Sequence, residues 1–260
     1  MGNLSGTKPY LDSATPVAIA HRGYSRDGLE NSLLAFTNAL ELGYKYVETD
    51  VNTTADGVAV VFHDPSLDRT TDRAGLIAEL KYAVVHEARI GGREPIATLE
   101  EFIVALPGAR FNIDVKDAGS VAPLAAAIER HGIHDRVCVA SFSDKRRRAV
   151  LARLSKPVVS SPGRVLIALF VLLGPVLPAF LLRRLMADVD VLQIPRRHLG
   201  IRILTPRLLA RAHHIGLKVH VWTIDDPAEM DELFDLGVDG VMTDRADLLA
   251  GVMRKRGYWT

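Results

Sequence analysis

The sequence contains only one cysteine, Cys138, and this residue lies in an apolar run. A single cysteine excludes an intramolecular disulfide and a zinc site built from several thiolates. In this setting the thiol is expected to be a small buried side chain. Nothing in the cysteine content therefore indicates an oxidising compartment, and we expect a cytoplasmic protein.

The chain also lacks an excess of one charge sign, since it contains 32 lysines and arginines and 31 aspartates and glutamates. Without a global basic excess, nucleic-acid binding is not expected. Residues 1–15 are mostly polar and lack the apolar core of a signal peptide, so we expect a tail there. The remaining composition, 48% hydrophobic and 6% aromatic, is ordinary for a soluble globular protein. Oligomeric state is left undetermined.

Short apolar runs alternate with amphipathic segments along the chain. This alternation is typical of βα units and a parallel sheet. Eight runs match the eight strands of an α/β TIM (β/α)8 barrel, a fold of about 250 residues. Because no linker interrupts them, residues 1–260 are expected to form a single domain. The runs are Val17–Ala20, Tyr46–Val51, Arg110–Val115, Val137–Ser141, Val158–Ser160, Val189–Ile194, Lys218–Thr223 and Gly240–Thr243.

A small insertion is expected after the second strand. Asp56-Gly57 is a tight-turn signal, so Val58–Phe62 should return as an extra strand and deliver His63 at its end. The following segment, from Pro65 to Ile96, is expected to consist mostly of loops, with at most one short helix, Ile77–Val85.

A second, apolar insertion of residues 164–187 is expected after the fifth strand. Val165–Leu182 carries no charge over eighteen residues and is flanked by arginines. That length is close to the minimum for a membrane span, but Gly174, Pro175 and Pro178 interrupt it. We expect a bent helical pair that touches one leaflet from the inner membrane face. A barrel helix with a dimer contact is the alternative.

The expected strand ends carry most of the chemically informative side chains. Residues spaced i and i+2 on a strand share one face, so Glu48 and Asp50 can offer oxygen ligands to one hard cation. Asp114 and Lys116 repeat this spacing on the next strand. Carboxylates at positions that are normally apolar are costly unless a cation neutralises them.

Two basic residues after the first strand complete this set. His21 can transfer protons near neutral pH, and Arg22 can hold an anion with two parallel donors. Each of these residues alone also fits a purely structural role. His21 could be a turn residue, Glu48 and Asp50 could lie on a solvated strand edge, and Trp222 could belong to the core. Taken together, they indicate metal-assisted chemistry on an anionic substrate, and the substrate we expect is a phosphodiester.

The ordered motifs resemble those of the glycerophosphodiester phosphodiesterase family over nearly the whole chain. Three differences from the family pattern stand out: Leu29 replaces a proline, Ser32 replaces a threonine, and Asp114 replaces a glutamate that is longer by one methylene. The matching blocks are His21-Arg22-Gly23, Glu30-Asn31-Ser32, Glu48-Thr49-Asp50-Val51, Val60-Val61-Phe62-His63-Asp64, Asn112-Ile113-Asp114-Val115-Lys116, Val221-Trp222-Thr223 and Gly237-Val238-Asp239-Gly240.

This resemblance implies a TIM barrel, a divalent cation (Mg²⁺ or Ca²⁺) and a histidine pair acting as acid and base. Carried over by position, the roles are metal ligation by Glu48, Asp50 and Asp114, catalysis by His21 and His63 with Arg22 and Lys116, and substrate binding by Arg22, Lys116 and Trp222.

The function expected from these roles is metal-dependent hydrolysis of glycerophosphodiesters, or of lysophospholipids, to a glycerol phosphate and an alcohol. Action on lysophospholipids would be lysophospholipase D activity. Two alternatives stay open at this point. One is a membrane-associated lipid-binding protein on a catalytically inactive barrel, and the other is an aldolase-like enzyme with Lys116 as the Schiff-base lysine.

Overall fold

The computed structural model, which describes residues 8–25 and 27–259, contains the expected barrel of eight parallel strands. Their order around the barrel is β5-β4-β3-β2-β1-β8-β7-β6. The Asp190 amide donates to the Ser160 carbonyl at 3.0 Å and joins the two ends of this path. The strands are β1 Val17–His21, β2 Tyr46–Thr53, β3 Arg110–Val115, β4 Val137–Ala140, β5 Val159–Ser160, β6 Val191–Pro195, β7 Lys218–Trp222 and β8 Gly240–Thr243.

Helices surround the barrel, and several of them begin at a residue whose side chain caps the helix. The Thr98 side chain accepts from the Glu101 amide while Glu101 reaches back to the Thr98 amide, which forms a capping box. Ser143 and Thr205 cap their helices in the same way, by accepting from a backbone amide three residues later. The helices are α1 Leu33–Glu41, α2 Tyr82–Val85, α3 Leu99–Ala105, α4 Val121–His131, α5 Asp144–Leu151, α6 Arg164–Leu173, α7 Ala179–Leu185, α8 Pro206–His214, α9 Pro227–Leu236 and α10 Ala246–Lys255.

The described part of the expected N-terminal tail packs against the barrel. A short 3-10 helix, Pro9–Leu11, places Tyr10 with no exposed surface. The ring of Tyr10 contacts Tyr46 edge-to-face at 5.3 Å, and its cluster of buried neighbours includes Cys138. Residues 1–7 of the expected tail lie outside the described residues. Residues 8–15 therefore belong to the domain, and Cys138 is buried as expected.

The first insertion has the expected return strand but not the expected helix. Ala59–Val61 pairs antiparallel with β2. In place of one helix over Ile77–Val85, the structure has a 3-10 turn, Ile77–Glu79, and the single turn of α2. Lys81 separates them because it is extended, with a ψ of 151°. A two-stranded hairpin of Arg89–Ile90 with Glu94–Pro95 was not predicted.

The second insertion is a bent helical pair, α6 and α7, in the place of the helix between β5 and β6. Leu166, Phe170 and Leu182 are buried on its inner face. Arg211 of α8 donates from Nε to the Gly174 carbonyl at 2.9 Å and holds the bend against the barrel. Among the residues described, no helix is both long enough and apolar enough to cross a bilayer. The pair is thus a barrel element, and its outer face is exposed.

Candidate active site

A cavity of about 210 Å³ opens at the carboxyl ends of the barrel strands. This is the end at which TIM-barrel enzymes place their functional groups. Strand register explains the convergence, because His21 pairs with Glu48 and Asp50 pairs with Asp114 across neighbouring strands. All eight predicted site residues line this cavity: His21, Arg22, Glu48, Asp50, His63, Asp114, Lys116 and Trp222.

His21 lies at the end of β1 between two carboxylates. Its Nδ1 is 2.7 Å from Asp244 Oδ1, and its Nε2 is 3.7 Å from Glu48 Oε2. Burial alone would lower the pKa of His21, but Glu48 and Asp244 outweigh it and raise this pKa above its ordinary value. Asp244 therefore orients the imidazole and stabilises its protonated form.

His63 enters the cavity from the first insertion. Its Nδ1 lies 2.5 Å from Asp64 Oδ1, and Asp64 is in turn held by Arg69. The Arg69 hydrogen bond outweighs the effect of burial and lowers the pKa of Asp64 to about 2. A carboxylate that stays ionised thus fixes one ring nitrogen of His63 and leaves the other for a ligand.

Three carboxylates and two cations form the centre of the site. Lys116 Nζ is 2.8 Å from Asp50 Oδ1 and 2.6 Å from Asp114 Oδ2. Arg22 Nε lies 3.3 Å from Asp50 Oδ2, and the Arg22 amide donates to Glu48 Oε2 at 3.2 Å. Buried carboxylates are tolerated here because cations from neighbouring strands neutralise them.

The carboxylates differ in how well they are neutralised. Burial raises the pKa of Asp50, but Lys116 and Arg22 outweigh it and hold this pKa below its usual value. Burial, followed by repulsion from Asp50, raises the pKa of Glu48 to about 7. Burial also raises the pKa of Asp114 in spite of Lys116. Glu48 and Asp114 are therefore less well neutralised than Asp50 in this arrangement.

The carboxylate oxygens of Glu48, Asp50 and Asp114 suit a hard divalent cation, although the described side chains are not arranged as a complete metal site. Within residues 8–25 and 27–259, no group of three or more His, Cys, Asp or Glu side chains is arranged to hold a metal ion. The reason is local, because the Lys116 ammonium occupies the space between Asp50 and Asp114. Asp114 Oδ1, however, is buried without a hydrogen-bond partner among the described residues. Carboxylate oxygens are what Mg²⁺ and Ca²⁺ prefer, so the chemistry of these residues fits a cation.

Sequence reasoning assigned no role to several supporting residues. Asn31 donates from Nδ2 to Asp50 Oδ2 at 3.0 Å and accepts from Thr49 Oγ1 at 2.8 Å. Glu30 accepts from Arg22 Nη1 at 2.8 Å. The motif that contains Glu30 and Asn31 was a signal for them. The motifs do not reveal that Asp244, at the end of β8, meets His21 at the end of β1, because that contact exists only in the closed barrel.

Phe142, which forms an aromatic wall of the cavity together with the predicted Trp222, was also missed. Phe142 follows β4 and meets Trp222 edge-to-face at 6.1 Å. The guanidinium of Arg164, the first residue of α6, lies 4.4 Å from the centre of the Phe142 ring. Trp222 is thus part of the cavity wall, and the apolar insertion contributes to the cavity through Arg164 and Ile167.

The surroundings of Lys116 do not favour the aldolase-like alternative. A Schiff-base lysine reacts through its neutral amine, which requires a lowered pKa. Burial would lower the pKa of Lys116, but Asp50 and Asp114 outweigh it and raise this pKa. The ammonium form is therefore favoured, which suits an anion ligand.

Comparison with known proteins identifies the family. A model of the glycerophosphoryl diester phosphodiesterase family matches residues 21–248. The chain is 41% identical over 254 residues to the probable glycerophosphodiester phosphodiesterase 2 of Mycobacterium tuberculosis, with 97% of this chain and 96% of that protein covered. It is 26% identical over 263 residues to a lysophospholipase D of Homo sapiens, with 87% and 82% covered.

A solved structure agrees with these sequence matches. The crystal structure of a glycerophosphodiester phosphodiesterase from Agrobacterium tumefaciens superposes with a TM-score of 0.74 at 26% identity, covering 92% of this chain and 100% of that one. The chain belongs to the glycerophosphoryl diester phosphodiesterase family. The predicted family, TIM barrel and phosphodiesterase class are confirmed.

Proposed function

We propose that this protein hydrolyses glycerophosphodiesters to a glycerol phosphate and an alcohol. The observation that carries this proposal is one cavity with two histidines, each oriented by a carboxylate, beside two cations. A phosphodiester needs these groups: proton transfer at the attacking and leaving oxygens, and positive charge near the phosphoryl oxygens. Family membership supports the same reaction.

In this mechanism His21 and His63 transfer the protons. One removes a proton from the attacking hydroxyl or water, and the other protonates the departing alkoxide. Arg22 and Lys116 bind the phosphoryl oxygens and stabilise the charge that develops there. Trp222 bounds the cavity and limits how the substrate can lie.

A divalent cation, Mg²⁺ or Ca²⁺, would be held by Glu48, Asp50 and Asp114. When bound, such a cation would supply Lewis acidity to the reacting phosphate and make the attacking hydroxyl easier to deprotonate. The unpartnered Asp114 oxygen and the raised pKa of Glu48 support this assignment. Binding requires Lys116 to turn away from the carboxylates, which frees its ammonium for the phosphate.

Release of glycerol phosphate from a panel of diesters tests the proposal. Turnover should require a divalent cation and stop with chelator. His21→Ala and His63→Ala should each lower kcat by about 10²–10⁴-fold, whereas His214→Ala, on the exposed end of α8, should leave it unchanged. Chelator-insensitive turnover would contradict the metal assignment, and full activity in both active-site variants would contradict the mechanism.

We further propose that the outer face of α6 and α7 rests on a phospholipid surface and that lysophospholipids are substrates. Val165, Leu172, Val176 and Phe180 are between 68% and 75% exposed there. Exposed apolar patches of this kind mark interaction surfaces. Arg164 and Ile167 line the cavity, so the first turn of α6 connects the active site to this helical pair. The protein would then act from the cytoplasm at the inner face of the membrane.

Vesicle sedimentation tests the membrane contact. The protein should pellet with vesicles of phosphatidylglycerol and phosphatidylcholine, and Leu172→Glu together with Phe180→Glu should abolish this, because charged side chains cannot enter the acyl region. Val104→Glu is the matched control, since Val104 is 65% exposed on α3, away from this face. Pelleting of the double variant, or none by the wild type, would overturn the proposal. Hydrolysis of lysophospholipid is measured with the same proteins.

A further inference from the structure

Two arginines at the mouth of the barrel, Arg146 and Arg164, form no ion pair with a carboxylate of the described residues. Among the described residues, no ion pair within 4.0 Å involves Arg146 or Arg164, whereas Arg22, Arg69 and Lys116 all contact carboxylates. Arg146 Nε donates to Ser141 Oγ at 3.2 Å, and Ser141 lines the cavity. The side of the cavity beyond β4 and β5 thus carries two guanidinium groups that lie outside the ion pairs of the described residues.

Arg164 begins α6 and contacts Phe142 through both its backbone and its side chain. Its amide donates to the Phe142 carbonyl at 3.2 Å, and its guanidinium lies 4.4 Å from the centre of the same residue's ring. Gly163 permits this approach, because a Cβ there would lie 2.7 Å from the Asp144 amide nitrogen and 2.8 Å from the Phe142 carbonyl oxygen. Asp144 caps the helix by accepting from the Gly163 amide at 2.9 Å.

The position of Phe142 connects this arginine to the reacting groups. Lys116 Nζ lies 5.5 Å from the centre of the Phe142 ring, so Lys116 and Arg164 lie against the same side chain. A diester whose reacting phosphate contacts Lys116 can therefore extend its alcohol half along Phe142 toward Arg164. The cavity extends from Lys116 to Arg164, since both residues line it.

We propose that Arg164, assisted by Arg146 where it contacts Ser141, forms a subsite for a second anionic group on the alcohol half of the substrate. This inference rests on the proposed hydrolysis of glycerophosphodiesters. A planar guanidinium binds a phosphate or carboxylate through two parallel hydrogen bonds. A quaternary ammonium would be repelled by the arginines, and the Arg164 guanidinium already stacks on Phe142. Substrates with an anionic alcohol, such as a phosphorylated polyol, are therefore preferred over choline esters.

A matched pair of substrates tests the subsite. Glycerophosphoinositol 4-phosphate and glycerophosphoinositol differ by one phosphate, so the ratio of their kcat/KM values isolates its recognition. We expect a ratio of about ten for the wild type, a ratio near one for Arg164→Gln, and an intermediate ratio for Arg164→Lys. Arg207→Gln removes an exposed arginine that does not line the cavity, and it should keep the wild-type ratio.

The outcomes separate this inference from the proposed function. Hydrolysis of both substrates with a wild-type ratio near one, or an unchanged ratio in Arg164→Gln, would overturn the subsite and leave the function standing. If neither substrate is hydrolysed, calorimetric titration with inositol 4-phosphate and inositol still decides the subsite. The subsite is supported if the wild type binds inositol 4-phosphate more tightly than inositol and Arg164→Gln binds both equally. Equal binding of both ligands by the wild type refutes the subsite.

Discussion

Replacing Lys116 with methionine should destabilise the protein strongly in the absence of divalent cations. The ammonium of Lys116 contacts both Asp50 and Asp114, whose side chains are 2% and 10% exposed. Methionine has similar length but no charge, so the variant keeps the volume and leaves two buried carboxylates poorly neutralised. Removing one partner of a buried ion pair typically costs about 3–5 kcal/mol. Because the Lys116 side chain is 16% exposed, we expect about 3 kcal/mol at pH 8.

The size of the loss should depend on pH with a definite sign. Burial already raises the pKa of Asp114, and loss of Lys116 removes the neighbour that most lowers it. A carboxyl whose pKa is higher in the folded than in the unfolded protein stabilises the fold at low pH and less as pH rises through the folded pKa. The variant should therefore lose less stability at pH 5 than at pH 8.

Urea unfolding with chelator present, followed by circular dichroism at both pH values, measures this. Lys145→Met is the matched control, because Lys145 is exposed on α5, and its free energy of unfolding should be within about 0.5 kcal/mol of wild type. Equal stability of Lys116→Met and wild type at pH 8, or a larger loss at pH 5 than at pH 8, would refute the electrostatic reasoning.

Three further predictions follow from individual contacts. Asp244→Asn should lower the pKa of His21, since Asp244 helps to raise it, and an NMR titration of the imidazole would show no shift if the contact is unimportant. Arg147→Met should cost about 3 kcal/mol in urea unfolding, because the fully buried Arg147 binds Asp188 at 3.0 Å; a loss below 1 kcal/mol would contradict this. Thr98→Ala should cost about 1 kcal/mol through loss of the capping box, and an unchanged unfolding midpoint would exclude that role.

Local sequence signals were sufficient for the regular elements of the barrel. The runs Arg110–Val115 and Gly240–Thr243 are strands with the predicted bounds. These elements are predictable because periodicity and capping act between near neighbours. The predicted helix over Ile77–Val85 is wrong because the extended backbone of Lys81 interrupts it. No proline or glycine at that position signals the interruption.

For the candidate site too, the sequence predicted local relations between residues but not the contacts between strands. The spacing of Glu48 with Asp50 and of Asp114 with Lys116 showed that each pair shares a strand face. The spacing did not show that Lys116 would bridge Asp50 and Asp114. That contact depends on the register between β2 and β3, which no local pattern specifies.

The sequence by itself determined the alternation of strands and helices, the inward-facing polar residues and the family to which the chain belongs. These properties reside in spacing and residue type, which are fixed along the chain. Tertiary structure decided which distant residues meet: Asp244 with His21, Arg164 with Phe142, and α6 with the active-site cavity. The reason is physical, because closing the barrel brings together strand ends that are far apart along the chain, and packing decides which of their side chains touch.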